Sequence, residues 1–104
     1  MTALSGSGPA YVFYFIEAMV QAALDMGLSA EQGRRLALAT FAGATALAEA
    51  SDDSPEVLRQ RVTSKGGTTH AALSAMEASG MKPAFIAAMR AAQQRAAELG
   101  REFG

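Results

Sequence analysis

The sequence has no cysteine and a single histidine, His70, among its 104 residues. Without thiols there is neither a disulfide framework nor a thiolate metal site, and one imidazole alone cannot hold a metal. The absence of cysteine fits a reducing compartment and sets the expectation of a cytoplasmic location. Charge of either sign is sparse: nine basic and ten acidic residues leave a formal net charge of -1. The basic residues are dispersed, which argues against a nucleic-acid partner. Long apolar runs are missing too. Glu17, Gln21 and Asp25 interrupt the longest one before it reaches the ~18 residues of a membrane span, so no membrane partner is expected. The N-terminus shows no basic segment followed by an apolar one, as a secretory signal would need. Nowhere do Val, Ile and Thr alternate as they do in a half-buried strand.

What is present is small and apolar. Half of the residues are hydrophobic before the ten glycines are added, and many of those are alanine. A chain of this length suits one domain with a modest core. Alanine-rich helices pack closely but bury little area each. Two readings follow: a core shared with a partner chain, or a closely packed alanine-rich monomer.

The punctuation is that of helices, and the spacing predicts five. Ser7-Gly8-Pro9 reads as a helix start, with Pro9 where a missing N–H costs nothing. The first helix runs to about Met26. Tyr11 to Ile16 wrap most of its first half, which predicts burial on more than one side. Gly27 is its left-handed stop. Ser29 and Gln32 form a capping box for a second helix, reaching about Glu49. On that helix Leu36, Thr40, Gly43 and Leu47 share one stripe, and Leu38, Phe41, Thr45 and Ala48 another. Gly43 lies between Ala42 and Ala44. A mid-helix glycine costs about 1 kcal/mol relative to alanine, so close approach of another helix is expected there. Ser54-Pro55-Glu56 starts a short third helix ending near Val62. A fourth runs from about Thr69 to Ser79, with Ala72, Leu73 and Met76 inward and Gly80 at its end. Pro83 opens the fifth. There Phe85, Met89, Ala92, Ala96, Leu99 and Phe103 make a heptad-like seam, facing this core or a partner.

The chemistry concentrates between Val62 and Thr69. Gly66 and Gly67 let the backbone turn sharply and aim N–H groups outward. The first N–H groups of a helix have no partner inside it, and with the helix dipole they suit an anion. Ser64, Thr68 and Thr69 add hydroxyls. A small carboxylate fits this chemistry better than a nucleotide, because the loop lacks P-loop spacing and a preceding strand. The plainer alternative is an ordinary capped turn between helices.

Other positions carry less. Ser5-Gly6-Ser7-Gly8-Pro9 has no third glycine and no strand before it, so it is not a dinucleotide fingerprint. Glu17, on an apolar helix face, reads as a structural polar contact to Arg34, Arg35 or a hydroxyl, or as a solvent-facing group. His70 and Lys65 read as surface residues. No nucleophile–base pair, metal cluster or carboxylate pair stands out.

The loop sits in a longer pattern. Pro55, Leu58, Val62-Thr63-Ser64, Gly66-Gly67, Thr69, Ala72-Leu73 and Met76-Glu77, at their spacing, resemble the signature of the pyrroline-5-carboxylate reductases. The stretch Ala3-Leu4-Ser5-Gly6-Ser7-Gly8-Pro9-Ala10-Tyr11 is similar to that family's entry into its C-terminal domain, and Met26-Gly27-Leu28 matches in place. The likeness covers essentially the whole chain. It implies an all-α, five-helix domain like the C-terminal domain of 6-phosphogluconate dehydrogenase, forming an interlocked helical homodimer, with dimers gathered into larger oligomers as an open alternative. Residues 1–104 would then be the C-terminal dimerisation and substrate-binding domain. The N-terminal dinucleotide-binding domain, with its NADPH or NADH, is absent from this chain. The fragment alone is expected to be inactive and to bind no cofactor.

The family reduces L-1-pyrroline-5-carboxylate to L-proline, the last step of proline synthesis. The resemblance implies that Ser64, Gly66, Gly67, Thr68 and Thr69 hold the substrate carboxylate. It places the Thr69 hydroxyl near the ring nitrogen, as the catalytic side chain, while hydride adds to the C=N carbon. It leaves the nitrogen's proton source open, with water a candidate. Two alternatives stand beside it: a non-enzymatic helical oligomerisation module, which gives no reason for the Ser64–Thr69 loop, and the helical domain of another nicotinamide-dependent reductase.

Overall fold

The computed structural model describes residues 6–103, with side chains described for 6–101. Among them are five helices in chain order: α1 (Gly8–Asp25), α2 (Ala30–Ala50), α3 (Pro55–Arg61), α4 (Thr68–Ala78) and α5 (Met81–Phe103). The all-α expectation holds, and each expected helix end falls within about two residues of the observed one. The resemblance at Ala3, Leu4 and Ser5 lies outside the described residues, as does the side chain of Phe103. None of these helices is long and apolar enough to cross a membrane.

The ends are set by local chemistry that the sequence displays. Gly27 takes φ +95°. Its N–H donates to the Leu24 carbonyl at 3.0 Å, and the Leu28 N–H donates to the Ala23 carbonyl at 2.9 Å. This pair of bonds is a Schellman motif, which satisfies the last carbonyls of α1 and turns the chain. Two residues on, Ser29 caps α2 with both bonds of a capping box. The Gln32 N–H donates to Ser29 Oγ at 3.1 Å, and the Ser29 N–H donates to Gln32 Oε1 at 3.0 Å. The Val57 N–H donates to Ser54 Oγ at 3.2 Å, which fixes the start of α3. Gly80, at φ +69°, separates α4 from α5.

Residues 10–59 and residues from 60 onward, with the described ones before 10, form two compact units. In the first, α1 and α2 meet through very small side chains. Ala37 is 1% exposed and Ala23 9%, and they are the buried hydrophobic residues among those described. Gly33 is buried between them. A Cβ added to Gly33 would stand 2.8 Å from Ala23 Cβ and 3.5 Å from the Val20 backbone. The intrachain face of α2 is therefore the stripe Gly33, Ala37 and half-buried Phe41. The close approach of another helix expected at Gly43 is not made by the described residues of this chain. A Cβ on Gly43 meets nothing within 4 Å in this chain. Gly33 was missed because it lies in the first turn beside Arg34 and Arg35, where charge suggests solvent.

The expected double-sided burial of α1 is likewise not found within the chain. Tyr11, Phe15 and Ile16 are half-buried, but Phe13 is 63% and Tyr14 70% exposed. In the second unit, α4 packs on α5. The α5 seam is partly covered: Met89, Ala92 and Ala96 are half-buried, while Phe85 and Leu99 stay exposed.

The Gly33 contact gives a sign that can be checked. Gly33→Ala would gain about 1 kcal/mol of helix propensity, but overpacking at a 2.8 Å contact costs about 1–3 kcal/mol. Thermal melting should show Gly33→Ala several degrees below wild type. An unchanged or raised midpoint would mean that the helices do not meet at Gly33.

Candidate functional site

The segment between α3 and α4 is built around one tight turn. The Gly67 N–H donates to the Ser64 carbonyl at 3.0 Å, closing a four-residue turn over Lys65 and Gly66. Gly66, the third residue of that turn, has φ +76°, a conformation that costs any residue with a Cβ about 1–2 kcal/mol. Gly67 is required for a different reason. Its backbone is extended (φ -88°, ψ -176°) and any residue could adopt it. A Cβ there, however, would lie 3.3 Å from both Ser64 Cβ and the Ser64 carbonyl oxygen, and 3.8 Å from Ser64 Oγ. One glycine makes the bend, and the other leaves room for Ser64 against the start of the helix.

The start of α4 follows directly from this turn. Gly67 is the N-cap of α4 and makes no side-chain capping bond. The first amide used inside the helix is that of Ala71, which donates to the Gly67 carbonyl at 3.0 Å. The N–H groups of Thr68, Thr69 and His70 precede it and have no helical partner. At α2 and α3 a serine hydroxyl takes up this donor capacity. At α4 no capping side chain does so, and the amides are left for an outside acceptor, with the positive end of the dipole behind them. No side-chain cap closes this turn.

The predicted site residues fall together along this one loop and first helical turn. Ser64, Gly66 and Thr68 are exposed, and Gly67 and Thr69 are half-buried. Lys65 and His70 are exposed. Glu17 is exposed as well, and Arg35 pairs with Glu31 at 3.0 Å on the same helix. Among the described residues, no three His, Cys, Asp or Glu side chains come together as a metal site.

The comparisons bear on this geometry directly. A family model described as pyrroline-5-carboxylate reductase dimerisation matches residues 1–99. The chain belongs to this family. A pyrroline-5-carboxylate reductase from Pseudomonas aeruginosa is 46% identical over 104 residues, covering all of this chain and 38% of that protein. Pyrroline-5-carboxylate reductase 2 of Bacillus subtilis is 45% identical over 103 residues, 99% of this chain and 37% of its own. Among solved structures, a pyrroline-5-carboxylate reductase from Coxiella burnetii superposes with a TM-score of 0.90 at 45% identity, over 94% of this chain and 36% of that one. The Plasmodium falciparum pyrroline carboxylate reductase, solved with NADP bound, superposes with a TM-score of 0.88 at 36% identity, over 90% and 38%. The chain thus spans less than two-fifths of the length of these family members. Family membership accounts for the helices and for the long signature around the turn.

The turn makes a graded prediction. Asparagine tolerates the left-handed region better than alanine, and valine tolerates it least. Chemical denaturation should therefore rank position 66 as Gly, then Gly66→Asn, Gly66→Ala and Gly66→Val, with Gly66→Ala costing about 1 kcal/mol. Equal stabilities across the series would show that residue 66 does not hold the left-handed turn in solution.

Proposed function

We propose that this chain is the dimerisation and substrate-binding part of a pyrroline-5-carboxylate reductase, which reduces L-1-pyrroline-5-carboxylate to L-proline with NADPH or NADH. The observation that carries the reading is the uncapped N-terminus of α4, set behind the Ser64–Gly67 turn inside the family's signature. The substrate is a cyclic imine with one carboxylate. The amides of Thr68, Thr69 and His70, with the hydroxyls of Ser64 and Thr68, would take the carboxylate. Charge-assisted bonds of this kind are about twice as strong as neutral ones. Thr69, half-buried in the first turn, would then present its hydroxyl to the ring nitrogen and fix the face of the C=N bond that is reduced. Orientation of this sort supplies a large share of catalysis without an acid–base pair.

The described residues do not fit a nicotinamide dinucleotide. They form no strand leading into a glycine-rich helix start, and Gly6 precedes and Gly8 opens α1 without a third glycine. The reductant would be held by sequence outside this chain, and the fragment alone would neither bind it nor turn over. We place the chain in a homodimer, since its family is defined by dimerisation and its helices leave large apolar side chains uncovered. Dimers could assemble further. A cytoplasmic location fits the cysteine-free sequence.

Thr69 is the residue to test, in a longer enzyme that contains this chain. Thr69→Ala should lower kcat/KM by roughly 10- to 100-fold, the worth of one hydrogen bond to a polar reacting group. The fold and the oligomer should remain intact, and Thr69→Ser should recover most of the loss. Full turnover in Thr69→Ala would remove that hydroxyl from the site.

A further inference from the structure

Charge in this chain is sorted by region. Residues 60–104 carry six basic and three acidic side chains, and residues 1–59 carry three and seven. The Ser64–Gly67 turn and the start of α4 lie in the basic part. From Val57 to Met76 no acidic residue occurs, while Arg59, Arg61, Lys65 and His70 do. In the compact unit that holds the turn, the described acidic side chains are Glu77 and Glu98. Glu98 pairs with Arg95 at 3.3 Å, and Glu77 also has a partner, as Arg61 does. Lys65 differs from these. It is the second residue of the turn, it is exposed, and it makes no ion pair among the described residues.

We infer that Lys65 selects the net charge of what enters the site, drawing in the anionic substrate and giving no such pull to the product. This role rests on the proposed reading of the loop as the pyrroline-5-carboxylate site and adds a residue to it. Substrate and product share a carboxylate, so the amides of Thr68, Thr69 and His70 would meet both alike. The two molecules differ in charge at the nitrogen. The free imine is uncharged there, which leaves L-1-pyrroline-5-carboxylate a net anion. L-Proline has a protonated secondary amine and is a zwitterion with no net charge. An amide N–H acts at hydrogen-bond distance, whereas a full charge acts out to the Debye length, about 10 Å at 0.1 M salt. The lysine ammonium is a compact, hydrated point charge on a flexible four-carbon stem, and Lys65 stands three residues before Thr68. It raises the local concentration of anions without fixing any one geometry.

The test uses a longer enzyme that contains this chain, assayed at low and at high salt. At about 0.02 M salt, Lys65→Glu should raise KM for L-1-pyrroline-5-carboxylate about threefold to tenfold, the effect of reversing one exposed charge near an anion. Lys65→Gln should show a smaller rise, and Lys65→Arg should match wild type, because only the charge is used. The change should lie in KM, with kcat little altered. At about 0.5 M salt the variants should converge on wild type, since screening then acts within about 4 Å. Inhibition by L-proline should move less than the substrate's KM in the same variants. The role is overturned if KM of Lys65→Glu equals that of wild type at low salt, if its rise survives high salt, or if L-proline binding weakens by the same factor. A wild-type enzyme that does not reduce the substrate at any salt takes down the underlying reading of the site as well.

Discussion

The constraint on which everything else here depends is that α1 and α2 leave many large apolar side chains exposed and bury only very small residues. Ala23, Gly33 and Ala37 bring α1 and α2 close. At about 25 cal/mol per Å² such side chains contribute little through burial. The bulky residues, Phe13, Tyr14, Leu36 and Leu47, face outward. Small residues inside and large ones outside reverse the order of a self-sufficient helical pair. The arrangement becomes sensible once the outward surface is treated as the inside of something larger, which is what a dimerisation family provides.

The second feature is electrostatic and local. Helices in this chain begin in two ways. At α2 and α3 a serine hydroxyl answers the free amides. At α4 the residue in that place is glycine, and the amides of the first turn stay open. The turn that delivers them depends on a left-handed Gly66 and on the empty space beside Gly67, where Ser64 stands. Backbone donors cannot be retuned by a change of side chain. In the proposed site such donors would suit a compact negative charge, and the hydroxyls of Ser64, Thr68 and Thr69 would narrow its shape.

Much of this was legible in the sequence, because helix ends are written in short-range chemistry. Gly27, Ser29 with Gln32, Ser54 and Gly80 each announced a terminus that the structure reproduces. The Gly66–Gly67 loop announced its turn. Which helix faces meet was not legible. Gly43, flanked by alanines, reads as a close contact, and Gly33, next to two arginines, carries no such signal; within the chain the contact is at Gly33. Periodicity marks an apolar stripe but does not say whether the same chain or another covers it. The first half of α1 shows this. Its apolar wrap marks burial, and within the single chain Phe13 and Tyr14 stand exposed. Roles of single side chains at the loop were carried by likeness to the family rather than by spacing.

The account rests on the outward apolar surface of α1 and α2 being covered by a second copy, and sedimentation equilibrium of the wild-type chain over a wide range of concentration measures this most directly. The account predicts a mass of twice 10.8 kDa, or a multiple of that pair, persisting on dilution. A folded chain that sediments at 10.8 kDa throughout would contradict it.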